Sequence, residues 1–277
     1  MVVKENIIEH LKCGMYNNLD LIDYSNQLKQ NKNNFPALFR YSPADYNNIR
    51  NLETQTIYLS NVGSMNDIFE GLSSTLDAES NKLIECAGNL AYFKSFSECE
   101  NDLKMWGQYA DSYAGMCIEY DIRTIDDNLI YHLFPVTYTN TRINNDKLKF
   151  ALKHFKKRHD ETFDKFFLQD ITSLFLFKPE CWKNEKEWRV IFSWLHLNFE
   201  ADEILYCDKK EEVLFAYKEQ TIDFPYAKAV YMGPKMPNHI KDHISEIADK
   251  INIEAYEMIL DEHEYILKPK KYFRKNY

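Results

Sequence analysis

The sequence predicts a single α+β domain built on a mixed, mainly antiparallel sheet. Short β-rich segments alternate with helical periodicities but never settle into the βαβ rhythm of a doubly wound sheet. No repeat period, low-complexity tract or long Pro/Gly/Ser linker divides the chain. With 277 residues, 45% of them hydrophobic, the chain can bury a large core and is not globally disordered. The expected organisation is a helical flank over residues 1–34 and a main domain over 35–277, which carries a helical insertion at about 145–177.

Taken in order, Ile7, Ile8, Leu11, Leu19, Ile22 and Leu28 recur at helical spacing in the flank, and Pro36 closes a polar turn. Residues 37–41 read as a strand. Ser42 and Pro43 then suit the N-cap and first position of a helix closing at Leu52. Thr56 to Ser60, Ala91 to Phe96, Gly115 to Asp121, Val136 to Thr139, Glu187 to Trp194, Ala229 to Gly233 and Glu254 to Ile259 read as strands. Asp102 to Tyr109 and Pro237 to Ile251 read as helices. The longest helical periodicity runs over Leu148, Leu152, Phe155, Phe163 and Phe166, with Lys149, Lys153, Lys156, Lys157 and Arg158 on a solvated opposite face.

Composition removes several classes of function. A balance of 34 basic against 43 acidic side chains leaves a net charge of −9, the wrong sign for a protein that coats nucleic acid non-specifically. No apolar run reaches the roughly 20 residues needed to cross a bilayer, and the first residues lack a secretory pattern. The six cysteines are scattered without a Cys-x-x-Cys pair, as suits reduced thiols. These features together predict a cytoplasmic protein with no membrane partner. Gly-x-Gly-x-x-Gly, P-loop and Gly-x-Ser-x-Gly motifs are all absent. His239 and His243 share helical spacing, but the protease glutamate is missing, so no metal is expected.

Four segments combine charged, aromatic and small residues more densely than a core requires. They run from Leu38-Phe39-Arg40-Tyr41 through Ile57-Tyr58-Leu59-Ser60 to Met65-Asn66-Asp67-Ile68-Phe69-Glu70; across Ser95-Phe96-Ser97-Glu98; from Met105-Trp106-Gly107-Gln108-Tyr109-Ala110 to Gly115-Met116-Cys117-Ile118-Glu119-Tyr120-Asp121; and across Trp182 to Arg189. In this order they resemble a bacterial family, domain of unknown function 2971, over about residues 37–265. That family shows Phe-Asn-Asp-Pro-Phe-Glu/Asp, Ser-Phe-Ser-Glu, Met-Trp-x-x-Tyr-Ala and Lys-x-x-x-Trp-x-x-Glu-x-Glu-Trp-Arg. Met65 and Ile68 replace the phenylalanine and proline of the first of these motifs.

Arg40, Ser60 and Glu185-Lys186-Glu187 also stand in an order similar to the Arg, Ser, Glu-x-Glu scheme of ADP-ribosyltransferases. The resemblance implies NAD as co-substrate and a protein or nucleic-acid acceptor. Arg40 would clamp the pyrophosphate, since a planar guanidinium matches phosphate oxygens. Glu187 would oppose the positive charge that develops on the ribose, with Ser60 in support. Tyr41, Tyr58, Trp106 and Tyr109 would supply stacking surfaces, with Asn66, Asp67, Glu185 and Arg189 as further binding residues. Each residue also has a plainer role. Arg40 suits an ion pair with Glu98, Glu119 or Asp121, Asn66-Asp67 suits a turn, and the tryptophans suit core. Two other readings use the same residues: a non-catalytic ligand- or partner-binding sensor module, and a metal-dependent nucleic-acid-processing enzyme using Asp67, Glu98 and Glu187. The dense segments are expected to surround one pocket. A single domain over residues 37–265 should yield no pair of stable fragments cut near residue 140 on limited proteolysis followed by mass spectrometry.

Overall fold

A computed structural model describes residues 29–30, 37–61, 67, 69, 91–130, 132–142, 175–193 and 221–274. The expected helical flank lies outside the described residues except for residues 29–30, which are helical. The expected insertion at 145–177 lies outside them up to residue 174, and Phe177–Lys178 is a short strand instead of a helix end.

Nine strands form the principal sheet. Its order is β13 (Leu267–Lys271), β12 (Glu254–Leu260), β11 (Ala227–Met232), β5 (Met116–Tyr120), β1 (Leu38–Ser42), β4 (Ala91–Ser97), β9 (Glu187–Ser193) and β6 (Leu133–Pro135), with β3 (Ser60–Asn61) also paired to β4. All neighbours are antiparallel except β11 and β12. That parallel pair is joined by the helix Asn238–Ile251, the one right-sized crossover in the described chain. The fold is therefore the expected α+β class with a mixed, mainly antiparallel sheet. Two small ladders flank it: β2 (Thr56–Tyr58) with β10 (Thr221–Asp223), and β7 (Thr137–Tyr138) with β8 (Phe177–Lys178).

Strand alternation divides the side chains between two faces. One face carries Leu38, Ile118, Tyr120, Val230, Met232, Phe96, Trp188 and Val190, and it is covered by α1 (Tyr46–Glu53) and by Asn238–Ile251 through Ile244, Ile247 and Ala248. The other face carries Phe39, Tyr41, Cys117, Ala229 and Tyr231, covered by α2 (Leu103–Tyr109). There Trp106, fully buried, meets the Tyr41 ring edge-on at 5.4 Å. The large core thus lies on the first face, and the second keeps space for polar groups.

Several local details differ from the sequence reading. The N-cap of α1 is Asp45, whose Oδ1 accepts from the Asn48 amide at 2.8 Å, while Ser42 is spent as the last residue of β1. Thr56 to Ser60 is two strands, because Tyr58 and Ser60 serve different sheets on either side of Leu59. β6 and β13 escape periodicity analysis because each contains a proline, Pro135 or Pro269, and both are outermost strands, where a missing N–H is tolerated.

Two glycines are required by close backbone approach. Gly233 donates its N–H to the Gly115 carbonyl at 2.9 Å, and a Cβ on Gly233 would collide with the Tyr113 carbonyl oxygen. A Cβ on Gly115 would strike the Ser42 carbonyl oxygen in the same way. Backbone cannot swing aside as a flexible side chain would. Gly233→Ala is therefore expected to lower stability by about 1–3 kcal/mol, read from the midpoint of urea unfolding at unchanged slope.

Candidate functional site

The second face of the sheet opens into a pocket of about 120 Å³. Its walls include Phe39 and Tyr41 from β1, Ser95 and Ser97 from β4, Met105 and Tyr109 from α2, and Trp182 from the turn before β9. Its polar floor is Lys178, Glu185, Glu187 and Arg189, with Asp67 at the side. The register explains the grouping. Phe39 lies opposite Ser97, Ser97 opposite Glu187, and Ser95 opposite Arg189, so these side chains emerge on one face.

The floor is a chain of buried charges. Tyr109 donates to Glu185 Oε1 at 2.6 Å, and the Lys178 ammonium donates to Glu185 Oε2 at 2.7 Å and Glu187 Oε2 at 2.9 Å. Arg189 then grips the same Glu187 with two nitrogens, Nε to Oε1 at 2.8 Å and Nη2 to Oε2 at 3.2 Å. Its Nη1 donates to the Phe175 carbonyl, and its guanidinium lies 4.6 Å from the centre of the Phe93 ring. Two anions and two cations balance, which is the condition for burying any of them.

Glu185 and Glu187 reach one ammonium by an unexpected route. Only Glu187 lies on the strand expected from the sequence. Glu185 instead ends the 3-10 turn Glu180–Glu185, and Lys186 adopts a left-handed conformation at φ 43°, ψ 51° before the strand begins at Glu187. A non-glycine residue in that region costs about 1–2 kcal/mol, which the shared ion pair offsets.

Burial by itself would raise the Glu187 carboxyl. The neighbouring Arg189 and Lys178 charges outweigh that effect and, with a hydrogen bond from Ser95, hold it at about 2. Lys178 shows the mirror case: burial pulls its ammonium down, but the two glutamates more than compensate and raise it. Tyr109 is pushed up by burial and by its bond to Glu185, so it remains a phenol and a donor. Asp67 stands apart. Its Oδ1 accepts from the Phe69 amide at 2.9 Å, while its Oδ2 is buried without a hydrogen-bond partner beside the pocket.

The residues singled out from the sequence divide into two groups. Tyr41, Asp67, Tyr109, Glu185, Glu187 and Arg189 line the pocket. Arg40 does not: it alternates with Phe39 and Tyr41, emerges on the opposite face, and donates to Asn48 Oδ1 at 2.9 Å. Nor are the suggested carboxylates its partners. Glu98 accepts from Trp188 Nε1, Glu119 from Lys228 and Tyr231, and Asp121 from Arg123. Ser60 lies opposite Phe93 on the pocket's face of the sheet and Tyr58 is half-exposed on the β2–β10 ladder, but neither is among the residues that line the pocket. Trp106 backs the wall without lining it, and Asn66 lies outside the described residues. Asp67, Glu98 and Glu187 do not form a metal centre. Among the described residues no three His, Cys, Asp or Glu side chains are close enough to hold an ion. His239 and His243 are exposed on their helix.

Phe39, Ser95, Ser97 and Trp182, which the sequence placed in the dense segments without a role of their own, complete the site together with Lys178, which was not singled out. The signal for the lysine was present: Lys178 opens the run Lys-x-x-x-Trp-x-x-Glu-x-Glu-Trp-Arg that ends at Arg189. Its spacing sets every member of the floor except Tyr109.

Fold and site together define an α+β domain with an aromatic-walled pocket above a closed network of buried charges. Residues 105–190, from within α2 to within β9, match the family described as Protein of unknown function (DUF2971). No curated protein and no solved structure matches the chain. The similarity to ADP-ribosyltransferases therefore stands on residue order alone. No described helix is long and apolar enough to cross a membrane.

Glu187→Gln should destabilise the protein by about 3–5 kcal/mol at neutral pH, because it leaves the Arg189 charge buried with one answering group fewer. The folded carboxyl titrates at about 2, below its ordinary 4.5. Its stabilisation is thus fully present above pH 4.5 and lost as pH falls toward 2. Chemical denaturation of both proteins as a function of pH should show the difference narrowing only in that acidic window.

Proposed function

We propose that the protein is a ligand-binding module whose pocket receives the flat, hydrogen-bond-donating ring of a small molecule of nucleoside type. The observation that carries this reading is the closure of the Tyr109–Glu185–Lys178–Glu187–Arg189 chain upon itself. A carboxylate already answered by two cations, and kept ionised to about pH 2, is a weak proton acceptor and has little charge to spare for a transition state. What the pocket leaves unanswered is Asp67 Oδ2, an acceptor set among rings. A ligand N–H or O–H would satisfy it while Phe39, Tyr41 and Trp182 cover the ring's faces. At about 120 Å³ the pocket is of the same order as the roughly 150 Å³ cavity that admits one benzene ring. A whole dinucleotide is too large, so only one ring would enter.

Glycosyl transfer from NAD is the second reading. It is favoured by two carboxylates, Glu185 and Glu187, on the pocket floor within hydrogen-bonding distance of one ammonium. It lacks Arg40, which stands across the sheet. Calorimetric titration with a panel of nucleosides, nicotinamide and NAD separates the two. The binding module predicts saturable binding of at least one ring compound. Asp67→Asn, which keeps an oxygen for the Phe69 amide, should weaken binding by tenfold or more, as expected for losing a hydrogen bond to a charged group. It also predicts no nicotinamide release above background. NAD cleavage abolished by Glu187→Gln in a folded protein would establish the second reading instead, and a panel without any binder would sink the first.

A further inference from the structure

The opposite face of the sheet holds a second polar group that the pocket does not use. β1 and β4 are paired at a single position, Phe39 with Ser97. Beyond it β4 is next joined on that side by β3, at Ser60 with Phe93 and Asn61 with Tyr92. Lys94, Ser95 and Phe96 therefore have no registered partner on that edge, and the sheet has a notch between the end of β1 and the start of β3. Continuing the β1–β4 register would bring Ser42 toward Lys94, and alternation puts Arg40, Ser42 and Lys94 together on the face away from the pocket.

Each of these side chains keeps a donor that no acceptor of the described residues answers. Arg40 is buried and uses Nη2 on the neutral Asn48, while its Nη1 is buried with no partner. The Ser42 hydroxyl is likewise buried and unpartnered. Lys94 is partly exposed and forms no ion pair with a carboxylate of the described residues; burial first, and then the Arg40 charge, press its ammonium well below its ordinary range. Two like charges at the rim of an apolar core, with no carboxylate of the described residues between them, are an unbalanced arrangement. The contrast with the pocket floor is direct, because there each cation has its glutamate.

We infer that the notch is a binding site for a phosphate-class oxyanion, gripped by Arg40 Nη1 and Ser42 Oγ from β1 and by the Lys94 ammonium from β4. A dianionic tetrahedral group neutralises both cations and offers oxygens to donors on two strands, whereas a monocarboxylate leaves one charge over. Partial exposure of Lys94 puts it at the mouth, with Arg40 below.

The test is thermal unfolding of the dialysed full chain in sodium phosphate, sodium acetate and sodium chloride at matched ionic strength. Phosphate at about ten times its dissociation constant should raise the unfolding temperature by about 3 °C over chloride, with acetate close to chloride. Lys94→Met removes an unpaired cation and should fold as well as the parent in chloride, yet lose the phosphate shift. Ser42→Ala should reduce it. Asp67→Asn should leave it intact, which separates this site from the pocket. Equal midpoints in phosphate and chloride would overturn the proposal, as would a phosphate shift that survives Lys94→Met. Acetate matching phosphate would overturn the ligand class.

Discussion

The buried ammonium of Lys178 is the interaction on which the rest of this molecule turns. It comes from a two-residue strand, stacks its charge 5.1 Å from the Trp182 ring, and joins two glutamates that the backbone would otherwise hold apart. Together with Arg189 it keeps Glu187 ionised inside the protein, and the permanently charged guanidinium of Arg189, fully buried, has Glu187 as its answering carboxylate. The left-handed turn at Lys186 follows from the same demand. It tilts the chain so that carboxylates two residues apart converge on one nitrogen. Four charges, one strained residue and three short elements are therefore a single cooperative unit, and the pocket is the space above it.

Much of this was legible in the sequence, and the failures have physical causes. The α+β class follows from strand-like and helix-like segments that mix without crossover rhythm, and β1, β4, β5, β9, β11 and β12 all arise where apolar residues mark them. Pocket residues such as Tyr109, Glu185, Glu187 and Arg189 are conspicuous because charge beside aromatic needs a cleft to be useful. Arg40 falls outside the pocket for a simple reason. Within Phe39-Arg40-Tyr41 only alternate residues share a face, and sequence alone does not say which face turns toward Glu187; that is set by the Phe39–Ser97–Glu187 register. Lys178 carries no periodic signal, and although it heads the Lys-x-x-x-Trp-x-x-Glu-x-Glu-Trp-Arg run, its role becomes visible when Glu185 and Glu187 fold back onto it.

The two faces of the sheet solve the problem of interior charge in different ways. On the pocket side, cations and anions alternate and neutralise one another, which yields a rigid, pre-organised floor. On the other side, Arg40 and Lys94 sit at the margin of the main core among Tyr120, Asn48 and Ser42, and no carboxylate of the described residues answers them. A protein can leave charge unbalanced where something from solution completes the set, and it must balance charge where rigidity matters more than exchange. Glu119 belongs to the balanced kind, closed off by Lys228 and Tyr231 on the pocket's face of the sheet.

The prolines of the two outermost strands have a consequence for how the molecule behaves in a crowd. A wide, mostly antiparallel sheet is a template for further strands, and a neighbouring chain can dock wherever a row of amides and carbonyls is unpaired. Here Pro135 interrupts the row on a strand of three residues, and Pro269 does so on a strand whose other exposed positions are lysines. Each strand lacks an amide donor at that point, and the lysines repel a second copy of themselves. Concentrated protein is thereby steered away from polymerising edge to edge, and the burden of any self-association falls on side-chain surfaces instead of the backbone.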